Sequence, residues 1–141
     1  MLYRLLRPDE DWQDGLSANN PNFITSVFKH VINGSNRGWQ SPYISTCGSL
    51  ISVLNFRSKT NDFGAQIVQI SEDNLAVVKI DLRTWSNRRK HYVPGVDSNA
   101  SNNRFNNFAR VYEEVLLVGY VPKTHPQLMN ESDFNCEQLP E

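Results

Sequence analysis

Arg4 is the first residue whose position suggests chemistry. The segment Leu2 to Arg7 is predicted to form a short strand. In this strand Arg4 shares a face with Leu2 and Leu6. An arginine on a face that its neighbours need for a core has two interpretations. It is either an edge side chain that extends to water, or a guanidinium that forks onto phosphate or carboxylate and stays charged when partly buried.

A pair of carboxylates enters the most apolar run of the chain. Glu113 and Glu114 directly precede the apolar residues that begin at Val115. Alternation along the strand predicted over 111–121 puts Glu114 on the same face as Tyr112 and turns Glu113 to the other face. A carboxylate at the mouth of a strand is ordinarily a solvated terminus, and the alternative is a catalytic acid in a partly buried site.

Hydroxyl, imidazole and thiol groups lie earlier in the chain. Ser45 and Thr46 fall in the short strand Tyr43 to Cys47, where hydroxyls ordinarily bond to the backbone or cap the next helix. His30 lies beside an apolar helical stripe, where a packed histidine is the default interpretation. Cys47 and His30 together could supply a thiol and a base, but no sequence feature indicates a lowered thiol pKa. No second histidine or cysteine stands at metal-ligand spacing, so we expect no zinc site.

The elements that must position these groups form an α+β domain, with helices early in the chain and strands late. Asparagine competes with helix by bonding to its own backbone, so the five asparagines between Asn99 and Asn107 predict a loop. Apolar periodicity predicts strands at 2–7, 43–47, 66–70, 75–82 and 111–121, and helices from Asn20 and Pro21 through 33 and over 49–57.

Length and composition set further bounds. The chain has 141 residues, 39% of them hydrophobic, so it can form a core without a disulfide framework. Its net charge of −1 gives no general attraction to nucleic acid or to an anionic membrane. No apolar run approaches the roughly 20 residues that span a bilayer, and residues 1–10 lack a signal peptide. We expect a soluble, cytoplasmic protein with one domain at residues 1–122 and a loosely ordered C-terminal tail at 123–141.

Five short motifs occur in an order that resembles the catalytic domain of mono-ADP-ribosyltransferases. The likeness is to the arginine-serine-glutamate class, which includes the cholera toxin and heat-labile enterotoxin A subunits. Its members open with a Tyr-Arg strand and an Arg-Pro-Pro-Asp-Glu turn, and carry a histidine upstream of a Tyr-Val-Ser-Thr strand. The resemblance spans residues 2 to about 122 and implies a split two-sheet core. The motifs here are Leu2-Tyr3-Arg4, Arg7-Pro8-Asp9-Glu10, His30, Tyr43-Ile44-Ser45-Thr46 and Glu113-Glu114-Val115.

The resemblance implies that NAD is bound as a substrate, without a metal. Arg4 would hold its phosphate and ribose region, and His30 would support the adenosine-side ribose. Ser45 would order the site and position the catalytic glutamate. Tyr43 and Thr46 would lie beside Ser45 in the NAD site.

The family's catalytic glutamate immediately precedes a Val-Leu-like strand, so Glu114 is the matching residue. Cleavage of the nicotinamide glycosidic bond builds oxocarbenium character on the ribose, which a nearby carboxylate stabilises. Glu113 and Tyr112 would then lie on the side of the acceptor substrate. Members that modify arginine carry Glu, and others Gln, two residues before the catalytic glutamate. This chain has Tyr112 there, so we expect an acceptor other than arginine.

The acceptor implied is a macromolecule or a small molecule, with nucleic acid among the candidates and no membrane partner. Two other functions stay open on the sequence. A catalytically inactive module of the same fold could bind a nucleotide, a nucleic acid or a protein. The stretch from Arg83 to His91 holds four basic residues besides the histidine, an aromatic and no acid. It is either a solvated loop or a nucleic-acid contact.

Overall fold

Helices and strands are interspersed along the described residues. The computed structural model describes residues 1–34, 38–62, 64–94 and 98–137. Its strands are β1 (Leu2–Leu5), β2 (Tyr43–Cys47), β3 (Ile67–Ile70), β4 (Val78–Asp81), β5 (Glu114–Val118) and β6 (Pro126–Leu128). Its helices are α1 (Val27–Asn33), α2 (Leu50–Thr60), α3 (Trp85–Arg89), α4 (Ser98–Val111) and α5 (Glu131–Glu137), with a 3-10 turn at Trp12–Asp14. None of these helices is long and apolar enough to cross a membrane.

The strands confirm the α+β class and form one antiparallel sheet, in the order β4-β5-β2-β1-β3-β6. β2 pairs with β5 over five Cα positions and β1 pairs with β3 over four. β1 and β2 share a single pair, Tyr3 opposite Cys47, and we call this joint the seam. The sheet is therefore two well-paired groups of strands joined at a narrow seam, where two separate sheets had been expected.

The two faces of the sheet are covered differently. One face carries the cluster around Leu2, Ile44 and Val115, closed by chain segments outside the main helices. On the other face, α1 and α4 pack over Leu116, while α2 and α5 pack over Ile67. The helical face therefore has two separate apolar clusters.

The asparagine-rich segment is the helix α4, so the prediction of a loop is wrong. Phe105 and Ala109 lie four residues apart on one helical face, and both are fully buried against α1 and β5. The Asn102 side chain accepts a hydrogen bond from the Val93 N–H and donates one to the Val93 carbonyl. Burial and these contacts outweigh the poor helix propensity of asparagine.

The first helix begins later than predicted. Ser26 accepts a hydrogen bond from the Lys29 N–H and is the N-cap, so α1 starts at Val27. Asn20 and Pro21 instead form a turn.

Helices also occur in the second half of the chain, so the expected concentration of helices in the N-terminal half is wrong. α3, α4 and α5 all follow residue 84. The segment predicted as a loosely ordered tail contributes β6, which pairs with β3 over three positions, and α5. Phe134 of α5 is 3% exposed in the core over Ile67. Apolar residues spaced along 126–134 thus extend the core past residue 122, and residues 138–141 lie outside the described range.

Candidate active site

A cavity of about 930 Å³ lies along the seam, on walls from β1, β2, α1, α2 and the end of α4. Ligand sites in proteins usually measure roughly 300–1,000 Å³, so its size suits a ligand larger than a single ring. Seven residues predicted from the sequence line it, namely Arg4, His30, Tyr43, Ser45, Thr46, Tyr112 and Glu114. Glu113 is absent from the lining.

Arg4 bridges the seam where the pairing of β1 and β2 stops. Its Nη1 donates to the Ser45 carbonyl at 2.7 Å. Its Nε and Nη2 donate to the two oxygens of Glu10, at 3.1 and 2.9 Å. Three of the five guanidinium N–H groups are thus bound within the protein, and the side chain is 6% exposed. The interpretation of Arg4 as an edge side chain extending to water is therefore wrong.

Glu10 is the charge partner of Arg4, a role that was not predicted from the sequence, where Glu10 was named only within a motif. Its side chain is 7% exposed and also accepts from the Arg7 N–H at 2.8 Å. Because two buried charges are tolerable only when paired and hydrogen-bonded, Glu10 makes the burial of Arg4 possible. The signal for it in the sequence is an acid in the turn six residues after a strand arginine.

His30 connects two serines at the other side of the seam. Its Nε2 lies 2.5 Å from Ser45 Oγ and its Nδ1 lies 2.6 Å from Ser41 Oγ. Burial, with a contribution from the Arg4 charge, lowers the pKa of His30 to about 4. The imidazole is therefore neutral near pH 7, with one ring nitrogen donating and the other accepting. Ser41 was not predicted, since it lies in a polar loop with no pattern around it.

Glu114 forms the wall next to Ser45 and Cys47. It faces Cys47 across the β2–β5 pair, and alternate residues of a strand share a face. Glu114 is 5% exposed, and the described residues form no hydrogen bond to its carboxylate. Burial raises the pKa of Glu114 to about 8, against an opposing effect of the Arg4 charge. Burial therefore favours the neutral form of this carboxyl group near pH 7.

Thr46 and Tyr43 have their hydroxyls engaged by the scaffold. Thr46 Oγ1 donates to the Val115 carbonyl at 2.6 Å, which links β2 to β5. The Tyr43 hydroxyl donates to the Thr25 carbonyl at 3.2 Å, and its ring packs edge-on against His30 at 5.4 Å. These two residues shape the cavity, and their hydroxyls already have partners.

Glu113 points away from the cavity, so its predicted contact with substrate has no support in the geometry. Its backbone is left-handed, with φ of 49°, at the tight turn between α4 and β5. Its carboxylate accepts a hydrogen bond from Ser49 Oγ, the N-cap of α2. Glu113 therefore holds the start of α2.

Tyr112 lines the cavity from a turn, and the strand expected to carry it begins only at Glu114. Its ring lies 4.7 Å from that of Phe108 and 5.3 Å from that of Phe56, centre to centre. The neighbouring Cys47 is buried, which raises the pKa of its thiol. Cys47 is therefore a neutral wall residue, and a thiol nucleophile is not supported.

The described residues contain no group of three or more His, Cys, Asp or Glu side chains that could hold a metal ion. Comparisons with protein-family models, curated proteins and solved structures find no match to this chain. The geometry of the cavity is therefore the basis for any functional proposal.

The fork of Arg4 leads to a stability prediction. Arg4→Lys keeps the charge but cannot reach both Glu10 and the Ser45 carbonyl, so we expect the free energy of unfolding to fall by about 2–3 kcal/mol. Arg83→Lys is the matched control, because Arg83 is 39% exposed and pairs with the similarly exposed Asp81 of β4, a strand outside the seam. This control should lower the free energy of unfolding by less than about 1 kcal/mol. Urea titration of both variants measures the two losses. Equal losses of stability in the two variants would show that the contacts of the Arg4 guanidinium do not hold β1 and β2 together at the seam.

Glu114 leads to a prediction about pH. The unfolded chain loses this proton near its ordinary pKa of 4.5 and the folded chain near 8, so wild-type stability falls as pH rises between these values. Glu114→Gln removes that loss, and at pH 9 the variant should exceed the wild type by on the order of 2–4 kcal/mol. Chemical denaturation at pH 5 and at pH 9 measures the difference. Parallel pH curves for the two proteins would contradict the raised pKa.

Proposed function

We propose that this chain cleaves NAD at the nicotinamide glycosidic bond, as a mono-ADP-ribosyltransferase or an NAD glycohydrolase. The observation that carries the proposal is Glu114, a buried carboxyl group without a hydrogen-bond partner among the described residues, on the wall of a cavity of about 930 Å³. Burying such a group costs stability, and groups of this kind concentrate at functional sites.

The reaction needs a carboxylate next to the ribose and no acid for the leaving group. Nicotinamide leaves as a neutral molecule from a cationic ring, while positive charge develops on the ribose. That charge favours the ionised form of Glu114, so substrate binding lowers the pKa that burial had raised. In a water-poor cavity such an electrostatic contact is worth roughly 3–4 kcal/mol in the transition state.

The remaining residues suit positioning of the dinucleotide. Tyr43, Ser45 and Cys47 alternate along β2, so the strand offers about 13 Å of cavity floor from Tyr43 to Cys47, the residue that faces Glu114. Arg4 retains two of its five guanidinium N–H groups for a phosphate or ribose oxygen. The narrow seam, with its single Cα pair, supports the proposal of a split two-sheet core of the ADP-ribosyltransferase type.

The acceptor we propose is not arginine. Tyr112 occupies the position where a carboxylate would attract and orient a guanidinium, and a neutral phenol cannot do this. Burial raises the pKa of Tyr112, which keeps the phenol neutral near pH 7.

A second candidate is a catalytically inactive module of the same fold that binds a nucleotide or another partner. The contact of Arg4 with Glu10 favours it, since the guanidinium already has a full carboxylate partner. Calorimetric binding of NAD without any release of nicotinamide would select this candidate.

Nicotinamide release from NAD tests the proposal. Glu114→Gln should lower turnover by roughly 10²–10³-fold with little change in NAD affinity, because only the transition state loses its charge partner. Glu113→Gln is the matched control, since the Glu113 carboxylate contacts Ser49 outside the cavity. Its turnover should stay within about twofold of the wild type.

The assay is run in buffer and with an added cell lysate. Release in buffer indicates hydrolysis, and release that depends on the lysate indicates transfer. No release under either condition would overturn the proposed activity. Loss of activity in Glu113→Gln with full activity in Glu114→Gln would contradict the assignment and identify Glu113 as the reacting carboxylate.

A further inference from the structure

One end of the cavity is built from three aromatic rings, Phe56, Phe108 and Tyr112, and we call it the aromatic end. The ring centres lie 4.7 to 6.1 Å apart, at interplanar angles of 63° to 83°. All three side chains are partly exposed and line the cavity. The rings pack against the core, and the parts of them that line the cavity offer a surface for a planar ligand.

Lys59 lies over two rings of the aromatic end, and Asp62 lines the same cavity. Lys59 Nζ lies 5.2 Å from the ring centre of Phe108 and 5.7 Å from that of Tyr112. Among the described residues no carboxylate forms an ion pair with Lys59, and its side chain is exposed. Asp62 follows at the end of α2 and lines the same cavity. The ammonium of Lys59 disfavours a second cation, such as a guanidinium, at this end of the cavity.

The aromatic end is adjacent to Glu114. Tyr112 is two residues before Glu114, and Cys47, which faces Glu114 across the strand pair, also lines the cavity. The Cys47 thiol influences the pKa of Tyr112 and is itself influenced by Glu114, so the three side chains are neighbours. A ring stacked on Tyr112 would therefore lie next to the proposed position of the ribose.

We propose that the aromatic end is the acceptor subsite and that it takes a base of single-stranded nucleic acid carrying an exocyclic amine. The inference rests on the proposed NAD cleavage. Aromatic faces stack unpaired bases, and an aspartate such as Asp62 accepts a hydrogen bond from an exocyclic amine. An exposed lysine such as Lys59 attracts the phosphates that flank the base.

The transfer balances without a further reagent. The bond between ribose C1′ and nicotinamide breaks, and both electrons leave with neutral nicotinamide. The lone pair of the exocyclic amine forms the new C1′–N bond, and the amine proton passes to the Glu114 carboxylate and then to solvent. The products are nicotinamide and an ADP-ribosylated base.

The test uses NAD labelled in its ADP-ribose portion and short single-stranded oligonucleotides of guanine, adenine, cytosine or thymine. We expect label on at least one of the first three and none on the thymine oligonucleotide, because thymine has no exocyclic amine. Nicotinamide release in buffer alone is measured in parallel. An arginine analogue, a cell lysate and free nucleosides serve as alternative acceptors.

Two variants separate the acceptor subsite from the site of NAD cleavage. Tyr112→Ala should raise the KM for the oligonucleotide about tenfold or more, without an equal rise in the KM for NAD. Lys59→Gln, an exposed change that leaves the rings in place, should reduce the salt slope of oligonucleotide binding by about one. Lys123→Gln is the matched control, because Lys123 is exposed and does not line the cavity.

The outcomes distinguish this inference from the proposed function. NAD cleavage with label on protein or on the arginine analogue, and none on any oligonucleotide, overturns the acceptor and leaves NAD cleavage intact. Labelling of free nucleosides to the same extent as the oligonucleotides overturns the proposal that the acceptor is a nucleic acid. A higher KM for NAD in Tyr112→Ala would assign the aromatic end to NAD. No cleavage of NAD with any acceptor would overturn both proposals.

Discussion

The contact of Arg4 with Glu10 and with the Ser45 carbonyl is the interaction on which the site depends. β1 and β2 share a single residue pair, so most of the hydrogen bonding between these strands is missing. The guanidinium replaces it with one bond to β2 and a two-point contact to the turn after β1. This arrangement keeps the two strands joined and still leaves room for a cavity between the elements around them.

The cavity brings together titratable groups whose burial disfavours their charged forms. His30 is held neutral between two serines, and Glu114 is held neutral by desolvation although Arg4 favours its ionised form. The described structure thus stores electrostatic free energy at Glu114, which a cationic ligand can release. A protein selected only for stability would carry an apolar residue or an amide at this position.

Most of the residues that the sequence singled out line one cavity, whereas several predicted elements around it were wrong. Arg4 and Glu114 stood out because each is a charge within an apolar strand, and both line the cavity. The pairing of Glu10 with Arg4 was not predicted, because it depends on how the turn folds back onto the strand. The asparagine-rich helix was missed because local propensity indicates a loop there, whereas burial of Phe105 decides the outcome. The predicted strand register was also wrong at Tyr112. Glu113 has a left-handed backbone that separates α4 from β5, so Tyr112 does not belong to the strand.

The most direct measurement is the rate of nicotinamide release against pH, at NAD concentrations well below KM, where the profile reports the free protein. The account predicts a rate that rises about tenfold per pH unit and levels off near pH 8, where the buried Glu114 ionises. A rate independent of pH between about 6 and 9 would contradict it, because Glu114 would then be ionised throughout or uninvolved in the reaction.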